Sequence, residues 1–315
     1  HLVIRRQRQM CIRDRSVPVG KDSLSMKVNW KEGQSEHTVT SPMTLNISSF
    51  SNVNDLNKSV TPELSDSDTT LLHLWAHSDK YRLGGSALYQ SFKLYGGATP
   101  DIDDANQFKV LFEATQELLD KDFIEALHDI SDGGLITSLI EMALCSNQGL
   151  DINLDYSDKE QVVPKLFSEE IGLVIEVKNE KLESVRNYLN EKELFFENIA
   201  KKNDKKKINI NCFKEEVFSE DLTTLFNQWS KVSHEIQKIR DSEDAALAEK
   251  EAYENFDKFL TPEINFVVPK PDKNLFRKRP KIALIREQGI NGQYDMAAAL
   301  MAVSYTHLTL PTNDQ

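Results

Sequence analysis

The stretch IGLVIEV, residues 171–177, is the most constraining feature of this chain because it is a nearly continuous apolar run. Such a run is typical of a strand that is covered on both faces of its sheet. Segments with helical spacing lie on both sides of it in the sequence. These are the apolar positions Leu135, Leu139, Met142 and Ala143 before the run, and Leu182, Val185, Tyr188 and Leu189 after it. Alternating strands and amphipathic helices predict a mixed α/β fold.

Further elements of this unit follow from the same periodicities. A strand is predicted at 71–75 and another at 123–129, with a helix over 104–120 between them. A short helix is predicted between the glycine pairs that flank SALYQSFKLY, and KKKINI leads into one more strand. We therefore place an α/β domain at residues 61–216.

Segments of different character precede and follow this domain. Residues 17–60 contain VPVGKDSLSMKVNW, in which Leu24, Met26 and Val28 alternate with other residues, and MTLNISSF, which alternates in the same way; both predict the end of a β-rich half-domain. Residues 217–279 predict a linker, with one long amphipathic helix over 222–239, a charged helix, and an extended Pro-rich stretch. Residues 280–302, KIALIREQGINGQYDMAAAL and its flanks, predict a buried strand, a turn and a helix start, as in the first βα unit of a doubly wound domain.

The two ends of the chain differ from the rest. Residues 1–16, with RRQRQMCIRDR, and residues 303–315, VSYTHLTLPTNDQ, are similar to translated sequencing-adaptor read-through. Such segments are set aside in reasoning about the fold. We therefore expect both ends to be non-native and the chain to be an internal fragment of a longer protein.

Composition excludes several classes of function. The net charge of -12 argues against a nucleic-acid partner, because such binding depends on clustered Lys and Arg. The sequence contains no run long enough to span a bilayer and no secretory signal, so we expect a cytoplasmic location and no membrane partner. Cys11, Cys145 and Cys212 lack the spacing of a disulfide framework or a zinc site.

The segment HDISDGGL, residues 128–135, is the strongest candidate site. Asp129 ends a predicted strand, and Ser131 and Asp132 can cap the next helix. A helix N-terminus of this kind favours anions, and a nearby carboxylate can hold a Mg²⁺ ion that bridges phosphate oxygens. Gly133 and Gly134 would let the backbone approach a ligand closely. The alternative is a well-capped helix after a glycine turn, with no ligand.

Other candidate positions are weaker. Lys21 suggests a phosphate-binding loop, but the spacing fails because Arg15 and Asp22 occupy the places of the required Gly and Ser or Thr. Lys21 is therefore either a substrate contact or a solvated turn residue. RLGGSAL, residues 82–88, can cradle an anion or simply break and cap a helix. Glu169 and Glu170 form either an acid/base pair or, more commonly, a solvated edge.

Several of these stretches occur in one characteristic order. They are VPVGKDSLSM, TSPMTLNISSF, VTPELS, LGGSALYQ, HDISDGGL, LFSEEIGLVIEV and IALIREQGINGQYDMAAAL. Together, over about residues 17–302, they resemble the large, single-chain formylglycinamide ribonucleotide amidotransferases of purine biosynthesis. The resemblance implies an aminoimidazole ribonucleotide synthetase-like C-terminal unit with part of its β-rich half, then linker helices and the start of a class I glutaminase domain.

The resemblance also implies an activity. The family is an ATP-dependent carbon-nitrogen ligase that converts formylglycinamide ribonucleotide, glutamine and ATP to formylglycinamidine ribonucleotide, glutamate, ADP and phosphate. ATP phosphorylates the substrate amide oxygen, and ammonia from glutamine displaces the phosphate. The partners so implied are the two substrates, the missing N-terminal synthase half and the missing glutaminase of the same chain.

The family pattern assigns roles to two positions of HDISDGGL. Its first aspartate is a Mg²⁺ ligand and its serine contacts ATP, and these match Asp129 and Ser131. Lys21, Ser23 and Gly133 are then expected phosphate or substrate contacts. The other metal ligands and the glutaminase triad have no counterpart in the chain, so we expect no catalytic residue in it and no product from the chain alone.

Two other functions stay open at this stage. The segment can be a non-catalytic structural repeat that holds a nucleotide only for stability. It can also be a stand-alone relative of aminoimidazole ribonucleotide synthetase, although the glutaminase-like start after the Pro-rich linker argues against that reading.

Overall fold

A computed structural model describes most of the central part of the chain. The described residues are 27–40, 48, 51, 53, 55–76, 80–154, 159–213, 215–254, 265, 282–285, 292–302 and 308–309. The chain divides into two compact units, residues 1–222 and 223–315. Each unit is described by itself below.

The first unit contains two groups of strands and the helices between them. Its strands are β1 (Lys27–Glu32), β2 (Ser35–Thr40), β3 (Thr69–Trp75), β4 (Ala126–Asp129), β5 (Gly149–Leu154), β6 (Gly172–Lys178), β7 (Phe195–Asn203), β8 (Lys207–Cys212) and β9 (Glu215–Asp221). Its helices are α1 (Ala87–Ser91), α2 (Ala105–Asp120), α3 (Gly134–Ser146), α4 (Val162–Phe167) and α5 (Leu182–Glu191). Short 3-10 turns lie at Leu56–Lys58 and Lys159–Gln161.

Seven of these strands form one mixed sheet in the order β4-β6-β3-β7-β5-β8-β9. The pairs are antiparallel except β5 with β8, which is parallel. The apolar run identified in the sequence is β6, which lies between β4 and β3 and is buried along most of its length. The mixed α/β fold expected for residues 61–216 is thereby confirmed.

One face of the sheet is covered by α2 and α5. Leu72 and Leu74 of β3 and Ile175 and Val177 of β6 belong to a single buried cluster on this face. The helices contribute to it Leu111, Ala114, Leu118, Val185 and Leu189. Burying these side chains stabilises the unit by about 1.5–3 kcal/mol for each large apolar residue.

Helix α2 shows how the local sequence sets an element. Its N-cap is Asp104, whose carboxylate accepts hydrogen bonds from the backbone N–H groups of Asn106 (2.8 Å) and Gln107 (3.3 Å). The cap satisfies donors that a helix start otherwise leaves unpaired. The prediction of a helix over 104–120 is confirmed to within one residue.

Strands β1 and β2 form a separate hairpin, which turns at Gly33 with φ +63°. The expected alternation in this region reaches the described residues only at Val28, which is exposed. The earlier part of the predicted β-rich block, including Leu24 and Met26, lies outside the described residues, as do most residues of MTLNISSF.

The single long helix predicted over residues 222–239 is not what the structure shows. Residues 222–240 form two helices, α6 (Leu222–Trp229), which begins at the boundary of the units, and α7 (Lys231–Arg240). The two helices meet at Ser230, where the backbone bonds continue: the Ser230 N–H donates to the Phe226 carbonyl at 2.8 Å, and the His234 N–H donates to the Ser230 carbonyl at 2.9 Å. The charged segment is helical as expected, in α8 (Glu243–Glu254).

The predicted βα start at 280–302 is described only in part. Strand β10 (Ile282–Ala283) is two residues long, and Ala283 is exposed, so the buried strand expected here is not observed. It pairs in parallel with β11 (Leu308–Thr309). The expected helix is observed as α9 (Gln293–Ala302), whereas the turn predicted before it, at residues 286–291, lies outside the described residues. Of the predicted Pro-rich stretch only Asn265 is described.

No helix among the described residues combines the length and the apolar character that crossing a bilayer requires.

Candidate functional site

The segment HDISDGGL lies at one edge of the seven-stranded sheet. Strand β4, the first in the sheet order, ends at Asp129, and α3 begins at Gly134. The side chain of Asp129 is 71% exposed, and Ser131 and Asp132 are exposed as well. The structure therefore places both predicted ligand residues, Asp129 and Ser131, on the surface of one turn.

His128 connects this turn to α3. Its Nδ1 lies 2.7 Å from the Asp129 carbonyl oxygen and 3.3 Å from the carboxylate Oδ1, while its Nε2 lies 3.2 Å from Glu141 Oε2. Ser138 of α3 also donates to the Asp129 carbonyl, at 2.9 Å. These contacts fix the end of β4 against α3, although the Asp129 carboxylate itself extends into solvent.

The two glycines of the turn are required by the chain itself. Gly133 and Gly134 have φ +90° and +75°, where a side chain is strained. A Cβ on Gly134 would lie 2.7 Å from Phe167 C and Ser168 O, so only glycine fits there. The sequence suggested that a ligand approaches the backbone closely here. At Gly134 it is instead α3 itself that lies close to the segment after α4.

The predicted cap of α3 is wrong. Neither Ser131 nor Asp132 caps the helix; the N-cap residue is Gly133, and it makes no side-chain cap. Its N–H donates instead to Oε1 of Glu169 at 2.9 Å. Gly133, which was expected to contact phosphate, thus already has an anionic partner within the protein, because a carboxylate can reach the helix start from the loop before β6.

The second glycine turn, RLGGSAL, has the same partner. Ser86 caps α1, since its hydroxyl accepts from Tyr89 N at 3.3 Å, and the N–H of Ala87 donates to Glu169 Oε1 at 2.8 Å. The Gly84 N–H donates to the Ala98 carbonyl at 2.8 Å. RLGGSAL therefore does both things that the sequence suggested. It caps a helix, and it also binds an anion, which is the Glu169 carboxylate of the protein itself.

Glu170 is not on a solvated edge. It is 4% exposed and accepts hydrogen bonds from the Arg82 side chain at Nε (2.6 Å) and Nη2 (2.7 Å). The Arg82 backbone N–H donates to it as well, at 3.0 Å, and Arg82 also reaches Asp103. Hydrogen bonding to Glu170 raises the pKa of Arg82. The solvated-edge interpretation fails because a guanidinium can satisfy both carboxylate oxygens at once.

A buried charged cluster was missed by the sequence reading. Lys165 of α4, with 2% of its side chain exposed, lies 2.6 Å from the carboxylate of Glu197 on β7. The same carboxylate lies 3.2 Å from Nδ1 of His73 on β3. Lys165 also lies over the Trp75 ring, 5.1 Å from its centroid. Single polar residues inside apolar strands and helices, as in LLHLW and VVPKLF, were the signal for this cluster.

Burial sets the protonation of this cluster. Desolvation lowers the pKa of His73, although Glu197 acts in the opposite direction. The pKa of Glu197 is also lowered: burial would raise it, but the hydrogen bond with His73 and the charge of Lys165 outweigh that effect. The lowered pKa values favour the neutral form of the His73 imidazole and the ionised form of the Glu197 carboxylate.

A groove of about 400 Å³ opens on the sheet away from the HDISDGGL turn. It is lined by Thr70, Asn153 and residues 197–201. Neither Asp129 nor Ser131 lines it, so the groove and the predicted site are different features.

Asp129 is the metal ligand that was predicted in this chain, and it lies among the described residues. Within this part of the chain no three His, Cys, Asp or Glu side chains come together as a metal cluster. The exposed Asp129 carboxylate is the type of oxygen ligand that Mg²⁺ takes, together with water and phosphate oxygens. Lys21 and Ser23 lie outside the described residues. The described residues therefore offer Mg²⁺ a contact with one carboxylate, that of Asp129, and no larger set of ligands.

Two family models match the chain. Residues 7–52 match the FGAR-AT PurM_N-like domain, and residues 76–212 match the AIR synthase related protein, C-terminal domain. The second match contains β4, HDISDGGL, α3 and Glu169, which are the elements of the candidate site. The match to the first domain begins within residues 1–16.

Solved structures that match part of this chain include PurL of Thermotoga maritima. Its complex with FGAR is 18% identical, with a TM-score of 0.47, over 54% of this chain and 30% of that one. Its complex with ATP is 14% identical, with a TM-score of 0.45, over 60% of this chain and 28% of that one. HypE of E. coli, a hydrogenase maturation protein, is 19% identical, with a TM-score of 0.37, over 52% of each chain.

The alignment thus spans less than a third of the PurL chains. This chain is thus similar over residues 76–212 to the AIR synthase related C-terminal domain, and before that, over residues 7–52, to the FGAR-AT PurM_N-like domain.

Proposed function

We propose that this chain is part of a large-type formylglycinamide ribonucleotide amidotransferase, which uses ATP and glutamine to convert formylglycinamide ribonucleotide to formylglycinamidine ribonucleotide in purine biosynthesis. The observation that carries the proposal is the order of the two family matches, FGAR-AT PurM_N-like and then AIR synthase related C-terminal domain, within one chain. A stand-alone AIR synthetase relative is disfavoured because the first match is to the FGAR-AT type of domain.

In this proposal the HDISDGGL turn binds a magnesium-nucleotide. Asp129 is the Mg²⁺ ligand and the Ser131 hydroxyl contacts the nucleotide; both side chains are exposed at the same strand end. A bound Mg²⁺ would neutralise phosphate charge. The chain's own contribution is orientation: His128 and Ser138 hold the Asp129 carbonyl, so the carboxylate projects from a fixed point of the sheet edge.

The electrostatics of the turn make the metal essential to this binding. Glu169 already occupies the Gly133 and Ala87 amides, and Asp129 adds a second carboxylate to the same turn region. Two carboxylates repel a polyphosphate, and a divalent cation removes that repulsion. We therefore expect nucleotide binding to require Mg²⁺ strictly.

A binding experiment tests this proposal directly. Calorimetric titration with the non-hydrolysable analogue AMPPCP, with Mg²⁺ and with EDTA, is carried out on the wild-type chain and on Asp129→Asn, Ser131→Ala and Asp132→Asn. Asp132→Asn is the matched control, because it removes the same charge from an exposed position of the same turn. Asp129→Asn should weaken binding about tenfold or more, equivalent to ~1.4 kcal/mol, and Asp132→Asn should not. Equal losses in the two variants count against a specific role for Asp129.

A second function has a specific observation in its favour. The anion-binding position at the start of α3 is filled by Glu169, which is what a structural repeat without catalysis would tolerate. Asp129→Asn in a longer chain that includes the remaining synthase and glutaminase parts separates the two. Turnover lost with the fold intact supports catalysis at this turn, whereas unchanged turnover supports the scaffold.

A further inference from the structure

Glu169 joins two turns that are distant in the sequence. Its Oε1 accepts the N–H of Ala87 at 2.8 Å and the N–H of Gly133 at 2.9 Å, from positions 82 and 36 residues earlier in the chain. Hydrogen bonds to a charged acceptor are about twice as strong as neutral ones. Each donor is at the start of a helix, where N–H groups carry partial positive charge.

The turns that Glu169 joins both contain glycines in the left-handed region of backbone conformation. Gly85 precedes Ala87 with φ +77°, and Gly133 and Gly134 have φ +90° and +75°. Glycine loses more conformational freedom on ordering than any other residue, so such turns need fixed partners to keep one geometry. A single carboxylate oxygen shared by both turns supplies that partner and holds each turn relative to the other.

The Gly133 end of this link bears on the candidate site. Gly133 follows Ser131 by two residues, and the Gly134 N–H donates to the Ser131 carbonyl at 2.9 Å, which closes the turn. A displacement of Gly133 therefore displaces Ser131. The Asp129 end is held separately, by His128 and Ser138.

We propose that Glu169 is a positioning residue for the HDISDGGL turn: by holding Gly133 and Ala87 on one oxygen it sets the place of the Ser131 hydroxyl. This role rests on the proposed function, in which Ser131 contacts the nucleotide. Glu169 acts through the backbone and touches no ligand. Its neighbour Glu170 binds Arg82, the first residue of the RLGGSAL stretch that also contains Ala87.

Three variants of Glu169 separate geometry from charge. Glu169→Ala removes the acceptor, and Glu169→Asp keeps the charge but shortens the side chain beyond hydrogen-bonding reach. Glu169→Gln keeps an oxygen at the same place without the charge. Val185→Ala, a cavity in the core cluster on the face covered by α5, is the control for lost stability alone.

Two measurements are made on the whole chain: hydrogen exchange of the peptides that contain Ala87 and Gly133, and the affinity for Mg²⁺-AMPPCP. We expect Glu169→Ala and Glu169→Asp to lose protection at both turns together and to bind the nucleotide about tenfold more weakly. Glu169→Gln should keep protection and lie within about threefold of wild type in affinity. Val185→Ala should retain the wild-type affinity.

The outcomes are distinguishable. Unchanged exchange at the two turns in Glu169→Ala overturns the link between them. If Glu169→Ala loses protection from hydrogen exchange but keeps its affinity for Mg²⁺-AMPPCP, the positioning role alone is overturned. The same holds if Val185→Ala loses as much affinity as Glu169→Ala. A wild-type chain that does not bind Mg²⁺-AMPPCP removes the proposed function, whatever the exchange shows.

Discussion

Lys202 on β7 lies 2.9 Å from the carboxylate of Glu176 on β6, and Glu176 is completely buried. The carboxylate also accepts from the Thr69 hydroxyl (2.6 Å) and from Ser65 N (2.9 Å). The Lys202 ammonium additionally donates to the carbonyls of Ser65 and Ser67. This pair therefore fastens the segment before β3 to the middle of the sheet.

Removing the lysine should be strongly destabilising. Lys202→Met leaves Glu176 as a buried charge without its cation, and breaking such a pair costs about 3–5 kcal/mol in the free energy of unfolding. Urea denaturation of the wild type and the variant measures this loss. The double variant Lys202→Met with Glu176→Gln should be more stable than Lys202→Met alone, since it no longer buries a charge; a double variant that is equally unstable contradicts this account.

Arg82→Lys tests whether the paired hydrogen bonds of the Arg82 guanidinium to Glu170 contribute to stability. A lysine keeps the charge but lacks the planar pair of N–H groups that meets both oxygens of the buried Glu170, so we expect a loss of about 1–3 kcal/mol in the free energy of unfolding. The same substitution at Arg186 is the matched control, because its pair with Glu183 spans 3.7 Å and Glu183 is largely exposed. That control should change stability by less than about 0.5 kcal/mol. Thermal unfolding of both variants measures the difference.

Gly134→Ala tests the close contact between α3 and the segment after α4. Its φ of +75° is nearly that of Gly85, at +77°, so alanine carries similar backbone strain at both positions, about 1–3 kcal/mol. At Gly134 the new Cβ also meets backbone atoms at 2.7 Å, whereas at Gly85 its nearest neighbour is Thr99 Cγ2 at 3.8 Å. Gly134→Ala should therefore lose clearly more stability than Gly85→Ala in chemical denaturation. Equal losses would mean that the chain shifts to accept the methyl group.

The buried histidine predicts a specific pH dependence. Burial lowers the pKa of His73 below the ordinary value of 6.5. As the pH falls below about 6.5, the histidine is therefore protonated more readily in the unfolded chain than in the folded chain. The contribution of His73 to the free energy of unfolding is therefore fully present above about pH 6.5 and is lost as the pH falls. The free energy of unfolding, measured at intervals from about pH 7.5 to 5.5, should fall less steeply in His73→Gln than in the wild type.

The lowered pKa of Glu197 adds to acid sensitivity in the same direction, but it acts in the carboxylate range, below its ordinary value of 4.5. The window above about pH 5.5 therefore isolates the histidine contribution. Identical slopes for wild type and His73→Gln in that window would exclude His73 as the titrating group.

Much of the fold was predictable because local periodicity reflects burial. The helices α2, α3 and α5 and the strands β3 and β6 lie where the apolar spacing put them. The prediction differs from the structure at residues 222–240, where the apolar spacing continues through Ser230 but the structure has two helices that meet there. Periodicity detects which face is apolar and does not detect where one helix ends and the next begins.

The candidate site was predictable only in part. The sequence placed Asp129 and Ser131 at a strand end, and the structure shows both exposed there; their roles toward metal and nucleotide stay predictions. It did not identify the partner of Gly133, because Glu169 is distant along the chain and reaches the turn only after β6 lies beside β4.

Taken alone, the sequence determined the alternation of strands and helices and the position of the glycine turn in HDISDGGL, because both depend on residues within a few positions of each other. The tertiary structure decided which charges are satisfied inside the protein: Glu169 on two helix starts, Glu170 on Arg82, Glu176 on Lys202, and Glu197 between Lys165 and His73. The reason is physical: a carboxylate can be buried only where distant segments bring donors to it, and the order of strands in the sheet sets those meetings.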